Sequence, residues 1–175
     1  MIIPGILVSI ATFPGVIVHE LAHQLFCRFN RVAVLEVCYF QTKNPAGYVI
    51  HEAPSKKTQS FWIGVGPFLV NTILGAIISM SAAIPVLKFS SGSFLDYFLI
   101  WLGVSIAMHS FPSTGDAKNI WNSIKSDETS LLMKIVATPI VGLIYLGAVG
   151  SFFWLDFIYG LTVAMLIPNI IIYFY

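Results

Sequence analysis

The chain has 175 residues, of which 57% are hydrophobic, 14% aromatic and 10% charged, with a formal net charge of +1. A soluble domain carries about a quarter charged residues, and so small a fold cannot hide this much apolar side chain from water, so the composition is that of a one-domain integral membrane protein. The near-neutral charge excludes nucleic acid as a partner, and two cysteines, Cys27 and Cys38, provide neither a disulfide framework nor a zinc-type CxxC pair.

A membrane-crossing helix needs about 20 mostly apolar residues, and five stretches qualify: 2–29, 60–87, 94–111, 131–155 and 157–175. They predict an all-α polytopic membrane protein of about five transmembrane helices. The first stretch lacks a basic leader and is too long in its apolar run for a cleaved signal peptide, so it reads as a retained span. Pro14 is expected to bend it just before His19. Between the first and second stretches, 32–41 is rich in β-branched and aromatic residues, and 47–52 (GYVIHE) follows a turn-like TKNPA. This predicts a short β-hairpin at the membrane surface, at about 32–52. The fourth and fifth stretches are separated by little more than Asp156, as in a tight helical hairpin or a re-entrant unit, with bends expected at Pro139 and Pro168.

Basic residues set the orientation. Arg28, Arg31, Lys43, Lys56 and Lys57 follow the first span, and Lys118, Lys125 and Lys134 follow the third, leaving only Lys88 on the other side. The basic face is expected to be cytoplasmic, with the N-terminus outside and, after five spans, the C-terminus inside.

Near the cytoplasmic end of the first span stands His19-Glu20-Leu21-Ala22-His23, an HExxH motif. On a helix the two imidazoles lie one turn apart and can face one metal ion, while Glu20 is rotated away and free to act as a base on water. Each ionisable group at span depth costs about 2.5–3.5 kcal/mol, and no basic residue in the motif pairs Glu20. A bound cation offsets that cost.

Two histidines call for a third protein ligand in a zinc site, and the candidates are Asp116, His109, His51 and Glu52. The first and third spans run in the same direction. His23, toward the inner end of one, and Asp116, just past the inner end of the other, can therefore meet at one depth. Inside the third span His109 reads as a ligand, as a partner of the reacting carbonyl, or as an interior hydrogen-bonded histidine. Asn71, in the second span, is placed to steady substrate backbone or an oxyanion, or to bond between helices.

Three segments, HELAH at 19–23, GPFLVN at 66–71 and SFPSTGD at 110–116, sit in successive spans and resemble the site-2 protease family of intramembrane zinc metalloproteases. The β-prone stretch is similar to that family's membrane-surface sheet. The resemblance covers 1–125 as a three-span catalytic core and leaves 131–175 as two additional spans of the single domain 1–175. It implies one zinc ion per chain, held by His19, His23 and Asp116, with Glu20 as general base. It also implies cleavage of membrane-anchored proteins or peptides near the cytoplasmic face. The family usually has an asparagine near the position of His109 and a glycine where Ala117 stands, which marks a divergent, compact member. The alternatives are a membrane metal-binding or metal-transporting protein and a membrane metallopeptidase acting on short peptides such as signal-peptide remnants. A transporter needs polar ligands along a path through the membrane, whereas the ionisable residues here gather at one end. The intact Glu20 weighs against a catalytically silent scaffold.

Overall fold

The structure, a computed structural model, describes residues 5–125 and 129–174. The start of the first predicted span and Tyr175 at the end of the fifth lie outside the described residues. The first stretch forms two helices, α1 (Gly5–Ala11) and α2 (Phe13–Phe29), which meet at 89°. The break lies at Thr12, whose Oγ1 donates back to the Val8 carbonyl at 2.7 Å. The bend expected at Pro14 is present, but at this break rather than just before His19. Pro14 stands in the first turn of α2, where a missing N–H costs no helical hydrogen bond.

The expected hairpin follows as β1 (Val34–Cys38) and β2 (Tyr48–His51), paired antiparallel with Val37 opposite Val49 and Cys38 opposite Tyr48. Its turn is closed by the Gln41 N–H donating to the Ala46 carbonyl at 2.7 Å. Next come α3 (Lys57–Ala83), extended by a π-helical turn over Ile84–Lys88, and α4 (Phe94–Met108). Small residues let these helices approach closely. A Cβ on Gly103 would lie 2.8 Å from the Gly75 carbonyl oxygen, and one on Gly15 of α2 would lie 1.9 Å from that of Ser105 on α4.

After α4 the chain turns into α5 (Thr114–Ile124) and returns as α6 (Leu131–Gly150). Ala117, Ile120 and Ile124 of α5 pack with Ala137, Val141 and Ile144 of α6 and with Val65 of α3 in one buried cluster. A single-turn 3-10 segment (Ser151–Phe153) and Trp154, in the left-handed conformation at φ 64°, make the tight turn into α7 (Leu155–Leu161). The chain then continues through a π-helical turn, Thr162–Leu166, into α8 (Ile167–Phe174).

The last stretch runs opposite to the direction that five alternating crossings require. Gly160 lies against Met108 and Val104 near the end of α4, and Ala164 packs with Ile100 and Ala82. α7 and α8 are therefore antiparallel to α4, and α8 reaches the Ile84–Lys88 end of α3. The cause is α6: it packs along α5 and brings Gly147 against Phe111 instead of passing beyond the end of α4.

By length and apolarity two helices can cross a membrane, Lys57–Lys88 and Leu131–Phe153, and the bent α1–α2 pair makes a third. The other two expected spans are the shorter apolar helices Phe94–Met108 and Leu155–Ile171. Long apolar side chains such as Ile73 and Ile77 on α3 and Leu143, Leu146 and Val149 on α6 are exposed, as expected of surfaces that face lipid.

The α3–α4 contact gives a direct test of the packing. Gly103→Val sets a Cβ against backbone, and overpacking of this kind costs about 1–3 kcal/mol. The midpoint of thermal unfolding in detergent falls, while Gly142→Val, where nothing lies within 4 Å of the added carbon, does not lower it.

Candidate metal centre and active site

The imidazoles of His19 and His23, one turn apart on α2, have ring centroids 4.9 Å apart. His19 Nδ1 donates to the carbonyl of His109 at 2.6 Å, and His23 Nδ1 donates to the carbonyl of Ile63 at 3.0 Å. A carbonyl only accepts, so each Nδ1 carries a proton, and in its neutral form each ring presents Nε2 as a lone pair.

Both carbonyls are free for a reason in the backbone. Within α3 the Ile63 carbonyl would accept from the N–H at position 67, but Pro67 has none. His109 is the C-cap of α4, so its carbonyl lies where the helical ladder has run out.

The third element of the centre comes from the start of α5. Ser113 is its N-cap and Asp116 stands at the third helical position, forming a capping box. The Ser113 N–H and Oγ–H donate to Asp116 Oδ2 at 2.9 and 2.6 Å, and the Asp116 N–H donates to Ser113 Oγ at 3.2 Å. His23 Nε2 lies 3.6 Å from that same Oδ2. One ligand atom each from His19, His23 and Asp116 falls within 4.8 Å of the others. The cap that starts the helix also aims the carboxylate.

Glu20 is 8% exposed and shares with His19, His23, Asp116, Gly47 and His51 the wall of a cavity of about 320 Å³. Gly47 leads into β2, and a Cβ there would lie 2.7 Å from Glu20 Cγ and 3.0 Å from its Oε1. Only glycine lets the hairpin backbone come this close to the carboxylate side chain. The sequence pattern marks Gly47 as no more than the start of a strand.

The remaining candidates lie outside the ligand group. His109 Nε2 hydrogen-bonds Thr12 Oγ1 at 2.8 Å, tying α4 to the break before α2. Its backbone carbonyl, not its ring, reaches the centre. Asn71 is fully buried and spends its Nδ2 on the carbonyls of Gly15, Ile106 and His109 at 3.1–3.2 Å. It acts between helices, which leaves no donor for a substrate. Its Oδ1 is buried without a hydrogen-bond partner among the described residues. His51 lines the cavity wall with Nδ1 on the Glu52 carbonyl at 2.7 Å, while Cys27 packs with Val32 and Ile63.

Residues 12–131 match the family described as "Putative zincin peptidase". The match spans more than two thirds of the chain, which belongs to this family of zinc metallopeptidases. Neither curated proteins nor solved structures give a match. The matched segment holds α2 to α5, and with them every residue of the centre.

The donor set fits zinc. Two neutral imidazole nitrogens and a carboxylate oxygen are a common catalytic zinc set, and each ring is oriented by a carbonyl behind it, as metal-ligating histidines generally are.

Pro67 makes an unusual prediction, because replacing a proline inside a helix ordinarily helps the helix. Pro67→Ala restores an N–H that competes for the Ile63 carbonyl. Zinc affinity then falls by about tenfold, measured by chelator competition in detergent, without a fall in thermal stability.

Proposed function

We propose that this chain is an intramembrane zinc metalloprotease of the site-2 type. It binds one zinc ion through His19, His23 and Asp116 and cleaves membrane-anchored proteins or peptides near the cytoplasmic face. The observation that carries this reading is the convergence of the three ligand atoms within 4.8 Å of one another, beside a nearly buried Glu20, inside a bundle of apolar helices. The surplus of basic residues around the α2–α3 and α4–α6 connections supports a cytoplasmic location for that end of the molecule. The first helix then enters from outside.

Zinc, when bound, polarises the scissile carbonyl and acidifies water. Glu20 takes a proton from the attacking water as its oxygen bonds to the carbonyl carbon. It then gives that proton to the leaving nitrogen as the C–N bond breaks. Ser113 keeps Asp116 in place throughout, and the carbonyls of Ile63 and His109 hold the rings against rotation.

A substrate helix has its backbone polar groups bonded internally, so cleavage requires local unwinding and new partners for the freed groups. Gly47, Tyr48, Val49 and His51 of the hairpin line the cavity, while β1 occupies the other edge of β2. The open edge of β2 accepts the unwound segment as an added strand.

Metal analysis of detergent-purified protein tests the centre. Wild type is expected to carry about one zinc per chain, Asp116→Ala to lose it, and Glu20→Gln to keep it while hydrolysis falls by about 10²–10⁴-fold. Zinc retained in Asp116→Ala overturns the ligand set. Gly47→Ala is expected to keep its zinc yet lose about 10²-fold in kcat, because the added carbon displaces the base. A simple misfold would instead lower zinc content in parallel with activity.

A further inference from the structure

The metal cavity does not stand alone. A neighbouring cavity of about 410 Å³ shares its His51, Asp116 and Asn119 and extends along the polar face of α5 at Asn122 and Ser123. A third, of about 250 Å³, shares His19, Glu20 and Gly47 and closes on Ser151 and Asp156. The three form one run with the metal centre in the middle. The first cavity adds neutral polar side chains to the lining, and the third adds the carboxylate of Asp156. No lysine or arginine lines any of them.

Ser151 lies in the 3-10 segment after α6 and Asp156 in the first turn of α7, both beyond the family-matched segment. Asp156 Oδ1 accepts from the Phe157 N–H at 2.8 Å, the Ser151 side chain also hydrogen-bonds the carboxylate, and no ion pair to it exists among the described residues. It stands among apolar helices with no cation beside it, and an ionisable group so placed is a candidate for function. The turn that presents it depends on Trp154 in a left-handed conformation at φ 64°, which a non-glycine residue adopts only when its surroundings impose it.

We infer that Asp156 selects substrates carrying a cationic group, an ammonium or guanidinium, on its side of the scissile bond. The inference rests on the peptidase reading and adds the substrate chemistry. His19 and Glu20 line the same cavity of about 250 Å³ as Asp156. The cation therefore sits close to the cleaved bond along the chain. It is supplied by a lysine or arginine side chain, or by a free N-terminal amine.

The test uses quenched-fluorescent peptides of one apolar sequence with Lys, Gln or Glu placed at each of three positions on either side of the cleaved bond. Each is made with an acetylated and with a free N-terminus. Wild type is expected to favour Lys over Gln by about tenfold or more in kcat/KM at one position. Asp156→Asn, which keeps an oxygen for the Phe157 N–H, erases that ratio. Asp156→Lys turns the preference toward Glu, and Asp156→Glu restores part of the preference for Lys. A preference that follows the free N-terminus instead assigns the cation to the terminal amine.

Indifference to charge in wild type, or a ratio unchanged in Asp156→Asn, overturns the inference. If wild type cleaves none of the peptides, the peptidase reading fails by itself. Binding of the acetylated set to Glu20→Gln, followed by fluorescence anisotropy, then decides the site. A preference for Lys that is lost on adding Asp156→Asn supports it, and equal affinities overturn it.

Discussion

The active centre depends on two backbone carbonyls that the helices do not use. An imidazole on a helix can turn about its side-chain bonds and expose either ring nitrogen. What removes that freedom here is an acceptor behind each ring: the Ile63 carbonyl behind His23 and the His109 carbonyl behind His19. One is released by a proline four residues further along α3, the other by the end of α4. The cost of an interrupted helical ladder is thereby turned into fixed tautomers facing a single point.

That arrangement works only if the helices approach to within backbone distance. Ring-to-carbonyl bonds of 2.6 and 3.0 Å join α2 to two different helices, and no long side chain can stand between them. Gly15, Gly75 and Gly103 permit the approach, and Asn71 secures it by reaching carbonyls on α2, on α4 and at the end of α4. α7 adds a brace from the C-terminal part of the chain, where Tyr159 OH bonds Thr72 Oγ1 at 2.8 Å and its ring packs on Phe111 at 4.9 Å. The loop that delivers Asp116 is thus held from α3 and α7 together.

Much of this was legible in the sequence, and what was not has a common cause. HELAH could be read because the four-residue spacing and the helical period together determine which side chains share a face. The hairpin could be read from β-branched residues bracketing a turn. Asp116 was legible as a ligand candidate, and the structure adds its part in the helix cap, since the same oxygen faces Ser113 and His23. Pro67 is visible in the sequence within GPFLVN, but the carbonyl it frees matters only because a histidine from another helix lies opposite. Asn71 looks the same in a sequence whether it serves a substrate or a helix contact. The direction of the last span likewise depends on α6 choosing α5 as its neighbour. Each of these is decided by a tertiary partner, which no local pattern contains.

The contact between Gly47 and Glu20 has a consequence for how a substrate is measured. The hairpin backbone rests against the base at one end of β2, and His51 at the other end still borders the same cavity. Under the proposed function, the strand is a ruler whose zero mark is the Glu20 carboxylate. On that proposal a chain laid along it would be cut at a position counted in backbone steps, and a slip of one step would turn every side chain to the opposite face. Selectivity of this kind acts on the alternation of side chains along an unwound segment, so unrelated sequences with the same alternation are equivalent to it.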